Sequence, residues 1–86
     1  MYYVYVLKSK SDDELYIGST NDLKRRLREH NDGKIFSTKS RVPFALKYYE
    51  AYTSEQDARE RESKLKKRGQ ARSALLKRIS RSLQCD

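Results

Sequence analysis

The stretch ELYIGSTNDLKRRLREH, residues 14–30, reads as a short strand, a turn and the opening of a helix. Thr20 or Asn21 can cap that helix, Asp22 suits its first turn, and Gly33 ends it. At 100° per residue, Leu23, Arg26, Leu27 and His30 fall within about 100° of one another. Arg26 and His30 stand i, i+4, one turn apart. A helix that turns an arginine and a histidine toward its leucines has a face that is half core and half active site. Lys24, Arg25 and Arg28 point elsewhere and read as solvated charge.

Upstream, YYVYVLK is rich in β-branched and aromatic residues and reads as a strand. Tyr3, Tyr5 and Leu7 share one face of it; Tyr2, Val4 and Val6 share the other. The polar turn SKSDDE joins it to LYIGS as an antiparallel hairpin. Downstream, a basic loop, GKIFSTKSRVP, is closed by Pro43, and FALKYYEAY forms a third strand. Thr53 and Ser54 begin a second helix that runs to about Arg68 before Gly69. QARSALLKRISRSL makes a third, with Ala71, Leu75 and Ile79 on one stripe. The order β-β-α-β-α-α predicts an α+β fold, a three-stranded antiparallel sheet flanked by helices. Residues 1–83 form the single domain, and 84–86 a disordered tail.

The bulk composition fits a small domain with an anionic partner. A chain of 86 residues buries only about 60–65% of its unfolded surface. Lysine and arginine number 20 against 12 acidic residues, a net charge of +8. That balance fits a polyanion, most simply nucleic acid. One cysteine and one histidine leave no internal disulfide and no zinc site, which suits a reducing cytoplasm. No apolar run approaches the roughly 20 residues of a membrane span.

Helix two repeats the oddity of helix one with an acid. Ala58 and Leu65 are i, i+7 on its apolar stripe, and Glu62 sits between them. A carboxylate on a half-buried face is unfavourable unless a cation meets it. Tyr5 and Tyr16 lie on neighbouring strands, and a phenol can fill a core while keeping a polar tip at its edge. Taken singly, these are sheet packing, an interior ion pair and a hydrogen-bonded histidine. Together they supply a base, a phosphate clamp and a carboxylate for a divalent metal, the composition of a phosphodiester-cleaving site.

These residues resemble the GIY-YIG nucleases. The second motif is intact at Tyr16-Ile17-Gly18; the first appears as Tyr3-Val4-Tyr5, with Tyr3 where the motif has glycine. Arg26 to His30 matches an RxxxH step, and Glu60-Arg61-Glu62 the helical glutamate. The likeness spans Tyr3 to about Lys67. Thr38 to Pro43 and KYYE are similar to the small stand-alone bacterial YhbQ-like branch. The resemblance implies that Tyr5 and Tyr16 are the motif tyrosines, Arg26 the phosphate-binding arginine, His30 an accessory polar residue and Glu62 the ligand of one Mg²⁺ or Mn²⁺. It implies an endonuclease acting on DNA with little intrinsic sequence specificity, selective for structure in repair or processing; a monomer is expected.

A free tyrosine titrates near pH 10. For Tyr5 to act as the base, with Tyr16 orienting water or phosphate, Arg26, Lys39 or the metal is expected to lower its pKa. The roles of the two tyrosines can be exchanged on this reading. Lys34, Lys39, Arg41, Lys66, Lys67 and Arg68, with Lys77 and Arg78 beyond, are candidate phosphate contacts. Two alternatives stay open: a nucleic-acid-binding module of the same fold without turnover, and a scaffold for a protein partner.

Overall fold

A computed structural model describes residues 1–85. Strands β1 (Tyr2–Ser9), β2 (Leu15–Thr20) and β3 (Phe44–Tyr52) make an antiparallel sheet in the order β2-β1-β3. The central strand is the most apolar of the three. Its Val4, Tyr5, Val6 and Leu7 are all buried, because helices cover both faces.

On one face, Val4, Val6 and Ile17 pack with Ala58 and Leu65 of α2 (Glu55–Lys66), Leu75 of α3 (Gln70–Arg78) and Ile79. On the other, Tyr5, Leu7 and Phe44 pack with Tyr16 and with Leu23 and Leu27 of α1 (Leu23–Asn31). β3 serves both cores. The register slips between Val6 and Leu7, which pair with Tyr48 and Leu46, so Lys47 is a bulge. Strict alternation would put 44, 46, 48, 50 and 52 on one face. With the extra residue, Phe44 and Leu46 face α1, while Tyr48 and Tyr52 face α2.

Local chemistry fixes the helix ends. Asp22 itself caps α1, accepting from the Arg25 backbone N–H at 3.1 Å, so the cap lies later than the expected Thr20 or Asn21. The Thr20 hydroxyl instead accepts from the Asp22 N–H at 3.1 Å. At the other end, the Asn31 side chain donates to the Phe44 carbonyl at 3.1 Å and accepts its N–H at 2.6 Å, fixing the end of α1 to the start of β3. Ser54 caps α2. The expected third helix is two: α3 ends at Arg78, and α4 spans Ser80–Gln84. Ile79 stands between them at φ −103°, ψ 21°, outside helical geometry, and is 7% exposed. Its side chain stays buried at the junction. Of the expected tail at 84–86, Gln84 is the last residue of α4, and Asp86 lies outside the described residues.

Adjacent residues of α2 hold opposite edges of the sheet. Glu62 takes the Ser19 hydroxyl of β2, and Arg61 grips Glu50 of β3 through Nε at 2.9 Å and Nη2 at 3.0 Å. The Glu50 carboxylate also accepts from the Tyr48 and Tyr52 hydroxyls. Burial works against its charge, but Arg61 and the two phenols outweigh burial and hold its pKa below the usual range. Arg61→Ala leaves that half-buried carboxylate without its cation. A loss of about 2 kcal/mol is expected, softened from the deep-interior value by partial exposure, or a fall in Tm of roughly 10 °C. Thermal denaturation checks it; an unchanged Tm would show the pair to be ornamental.

Candidate active site

The sequence-predicted residues divide into two groups around the edge strand β2. Tyr5, Tyr16, Arg26 and His30 gather on the α1 face. The Tyr5 hydroxyl is 2.9 Å from His30 Nε2, and His30 Nδ1 is 2.8 Å from Thr38 Oγ1. The Tyr16 ring meets the imidazole edge-on at 5.0 Å, and the two phenol rings lie 6.5 Å apart. His30 and Thr38 are wholly buried and Tyr5 is 2% exposed, whereas Tyr16 is half-buried. His30 is therefore an interior member of the site.

The direction of the proton bonds follows from the donors at hand. Thr38 has the Ile35 carbonyl for its own proton at 3.5 Å, so its oxygen accepts from His30 Nδ1–H. Nε2 is then left as an acceptor, and the Tyr5 hydroxyl donates to it. Burial and the nearby Arg26 guanidinium push the His30 pKa down, with Glu29 pulling the other way, so the ring is neutral near pH 7 and fit to accept.

The Tyr5 pKa moves opposite to expectation. Burial is the largest cause, the adjoining Arg26 works against it, the charges of Tyr16 and Glu62 add to it, and the net result is a pKa raised to about 12. Lys39 takes no part, because its ammonium sits over the Phe36 ring at 4.9 Å. Desolvation of the phenolate outweighs the one nearby cation.

Gly18 makes this packing possible. It pairs with Tyr5 across the ladder, and a Cβ there would lie 2.4 Å from the Tyr5 hydroxyl and 2.6 Å from Cζ. The Tyr5 ring therefore lies directly over the glycine of YIG. Tyr3 does not obstruct the cluster; it packs edge-on against Tyr49 at 5.9 Å.

Glu62 belongs to the opposite face, on α2. Ser19 donates to its Oε1 at 2.7 Å, and Lys66 Nζ is 2.9 Å from Oε2. Burial opposes its ionisation, but the Ser19 hydroxyl and the Lys66 ammonium prevail and lower its pKa. The five residues thus do not share one face. Tyr5 lies over Gly18, Glu62 is bonded to the next residue, and only the edge of β2 stands between. A cleft of about 290 Å³ opens around that edge between α1 and α2, lined by Ser19, Arg25, Arg26 and Arg59 among others. Arg26, half-buried, pairs with Glu29 at 3.2 Å.

The other candidate contacts scatter. Arg41 bonds Asp12 at 2.7 Å and lies against the Phe44 ring, so it pins the β1–β2 turn and is spent structurally. Lys66 and Lys67 line a groove beside Glu62. Lys34, Lys39 and Arg68 are exposed, as are Lys77 and Arg78 in the last turn of α3. Among the described residues, no group of three His, Cys, Asp or Glu is placed to hold a metal, and no helix is long and apolar enough to cross a membrane.

Thr38, Ser19 and Arg25 were not among the sequence-predicted site residues. Thr38 could have been suspected as a small hydroxyl residue in a basic loop, although nothing local marks it as buried.

A histidine buried neutral couples folding to pH. Its folded pKa lies below the unfolded value, so its contribution is present above about pH 6.5 and is lost as pH falls through that region. Tm measured from pH 7.5 down to 5.5 is expected to decline, and His30→Gln to flatten the decline. An equal decline in the variant would assign it to other groups.

A family model described as the GIY-YIG catalytic domain matches residues 1–76. The chain is similar to UPF0213 protein SAG0778 of Streptococcus agalactiae, 46% identical over 67 residues, covering 77% of this chain and 75% of that one. UPF0213 protein CPE1444 of Clostridium perfringens is 43% identical over 68 residues, covering 78% and 72%. Among solved structures, the solution NMR structure of UPF0213 protein BH0048 from Bacillus halodurans superposes with a TM-score of 0.55 at 33% identity, covering 92% of this chain and 85% of that one.

Proposed function

Because the chain belongs to the GIY-YIG family, we propose that it is a metal-dependent endonuclease hydrolysing DNA phosphodiester bonds, with Tyr5, Tyr16, Arg26, His30 and Glu62 as its site. The observation that carries this reading is the chain of contacts Tyr5–His30–Thr38 beside Arg26. It couples a phenol to a proton acceptor next to a phosphate-binding guanidinium.

At pH 7 a phenol with a pKa of about 12 is ionised in roughly one molecule in 10⁵. Tyr5 therefore works as a relay. It takes the proton of the attacking water as its own proton passes to His30 Nε2, and Thr38 holds the ring for the transfer. The P–O3′ bond breaks as the water oxygen bonds to phosphorus. Arg26 offers two parallel donors to the non-bridging oxygens and stabilises the charge that grows there. Substrate also prepares the relay. Arg26 is one cause of the low His30 pKa, so a phosphate that offsets its charge raises the proton affinity of the ring. Tyr16, the more exposed phenol, orients the water or the phosphate.

The donors present suit one divalent cation. Glu62 is ionised, its Oε1 keeps an acceptor site beyond Ser19, and the exposed i, i+4 partner Lys66 is released at small cost. One carboxylate with water and phosphate oxygens is a normal set for Mg²⁺. Glu62 would hold the cation there, and the charge it would supply is the stabilisation that the departing 3′ oxygen needs.

The test is cleavage of single-stranded, duplex, flapped and branched DNA by the full chain, with Mg²⁺, Mn²⁺ or EDTA. Cut product that requires metal and disappears in Glu62→Gln supports the reading. The near-complete burial of Tyr5 favours one rival, a nucleic-acid-binding module without turnover. Salt-sensitive binding with no product on any substrate would establish that rival. A monomer acting in DNA repair or processing, as one folded domain, completes the proposal.

A further inference from the structure

Arg25, read from the sequence as solvated charge, lines the same cleft as Arg26, and Arg59 of α2 faces it from across the β2 edge. Arg59 also begins a second groove of about 380 Å³ that continues along α2 past Glu62 to Lys66 and Lys67. Arg59 lines both hollows, which adjoin there as a track of mixed charge: Arg25, Arg26 and Glu55 line the first, and Glu62, Lys66 and Lys67 the second. Both arginines hold only exposed local partners, Arg25 also donating to Asn21 Oδ1 at 3.3 Å, whereas Arg41 is bonded across the fold to Asp12. Arg25 is 49% exposed and 3.9 Å from Glu29; Arg59 is 72% exposed and 3.0 Å from Glu55, which also lines the cleft. Exposed i, i+4 pairs of this kind are weak and exchange readily for a stronger anion. Ser19 and Asn21 add uncharged polar groups to the wall.

We propose that Arg25 and Arg59 form a second phosphate subsite, receiving the phosphodiester next to the one held by Arg26 on the same strand. The assignment rests on the nuclease reading of the site. Two guanidinium groups from separate helices present planar forks to a tetrahedral anion, which lysine would not reproduce. The track sets the strand's path: across the end of β2 from α1, then along α2 beside the carboxylate.

Equilibrium binding of a fluorescently labelled single-stranded oligonucleotide and its duplex, without metal, tests this independently of cleavage. Arg25→Gln/Arg59→Gln is expected to weaken binding about tenfold at low salt, as for loss of a charge-assisted contact. It should also lower the slope of log K against log salt by roughly 0.7–0.9, one phosphate's worth. Lys24→Gln/Arg28→Gln removes the same charge from exposed positions on α1 and is expected to cost much less. Equal weakening by both variants, or none by the first, overturns the subsite. Metal-dependent cleavage by the wild-type chain is measured alongside. Selective loss of binding without any wild-type cleavage would retire the nuclease reading and support the subsite.

Discussion

Gly18→Ala is expected to reduce cleavage by about three orders of magnitude, the scale of a lost catalytic group, and to lower stability by roughly 1–3 kcal/mol, the usual cost of overpacking. The new Cβ would stand 2.4 Å from the Tyr5 hydroxyl and 2.6 Å from Cζ. Such distances are relieved cheaply only if the phenol can swing away. Tyr5 cannot: it is 2% exposed, bonded to a fully buried His30, with the Tyr16 ring 6.5 Å off. Removing the hydroxyl would not rescue the variant, since Cζ remains in conflict. Either the ring leaves the imidazole or β2 is pushed off β1, and both outcomes break the relay. Three measurements follow this: cleavage rate, Tm, and the ¹⁵N shift of His30 Nε2. Cleavage at the wild-type rate with an unmoved His30 signal would mean that Tyr5 is not held as described.

Arg26→Ala is expected to lower kcat about 10²–10³-fold, the measured scale for one transition-state donor, with Arg26→Lys recovering little because the fork is lost. Stability should barely change. The side chain is one-third exposed, and its partner Glu29 is a neighbour on the same helix. The variant also carries a signature that a packing role would not produce. Arg26 helps to hold the His30 pKa down, so its removal raises that pKa, readable in an NMR titration. A large loss of Tm with intact cleavage would make Arg26 an ion-pair residue and end its catalytic assignment.

The sheet was legible because its apolar pattern is strong: Tyr2 to Leu7 is an unbroken aromatic and aliphatic run, as a strand covered on both faces requires. Helix α1 was legible for the same reason, and its odd arginine and histidine pointed at the cluster. The later misses share a cause, since each depends on contacts distant in sequence. Ile79 keeps its burial by interrupting a helix whose residues alone would carry on. Thr38 matters because the loop folds it beneath His30. Arg25 and Arg41 are indistinguishable in the sequence, yet one faces an open cleft and the other is bonded to Asp12. The Tyr5 pKa depended on how deeply the ring is buried, which residue type alone does not give. Glu62 was placed on the correct stripe of α2, but the sheet edge between it and Tyr5 emerged only from the topology.

The bulge in β3 has a consequence for how this chain can vary in length. Lys47 belongs to neither core and donates only to the exposed Cys85 carbonyl, so substitution there should be tolerated. Deleting it is another matter. The frame of alternation would reset, turning Tyr48, Glu50 and Tyr52 toward α1 and stripping Arg61 of its partner. Insertions and deletions among relatives should therefore spare position 47 even where its side chain differs.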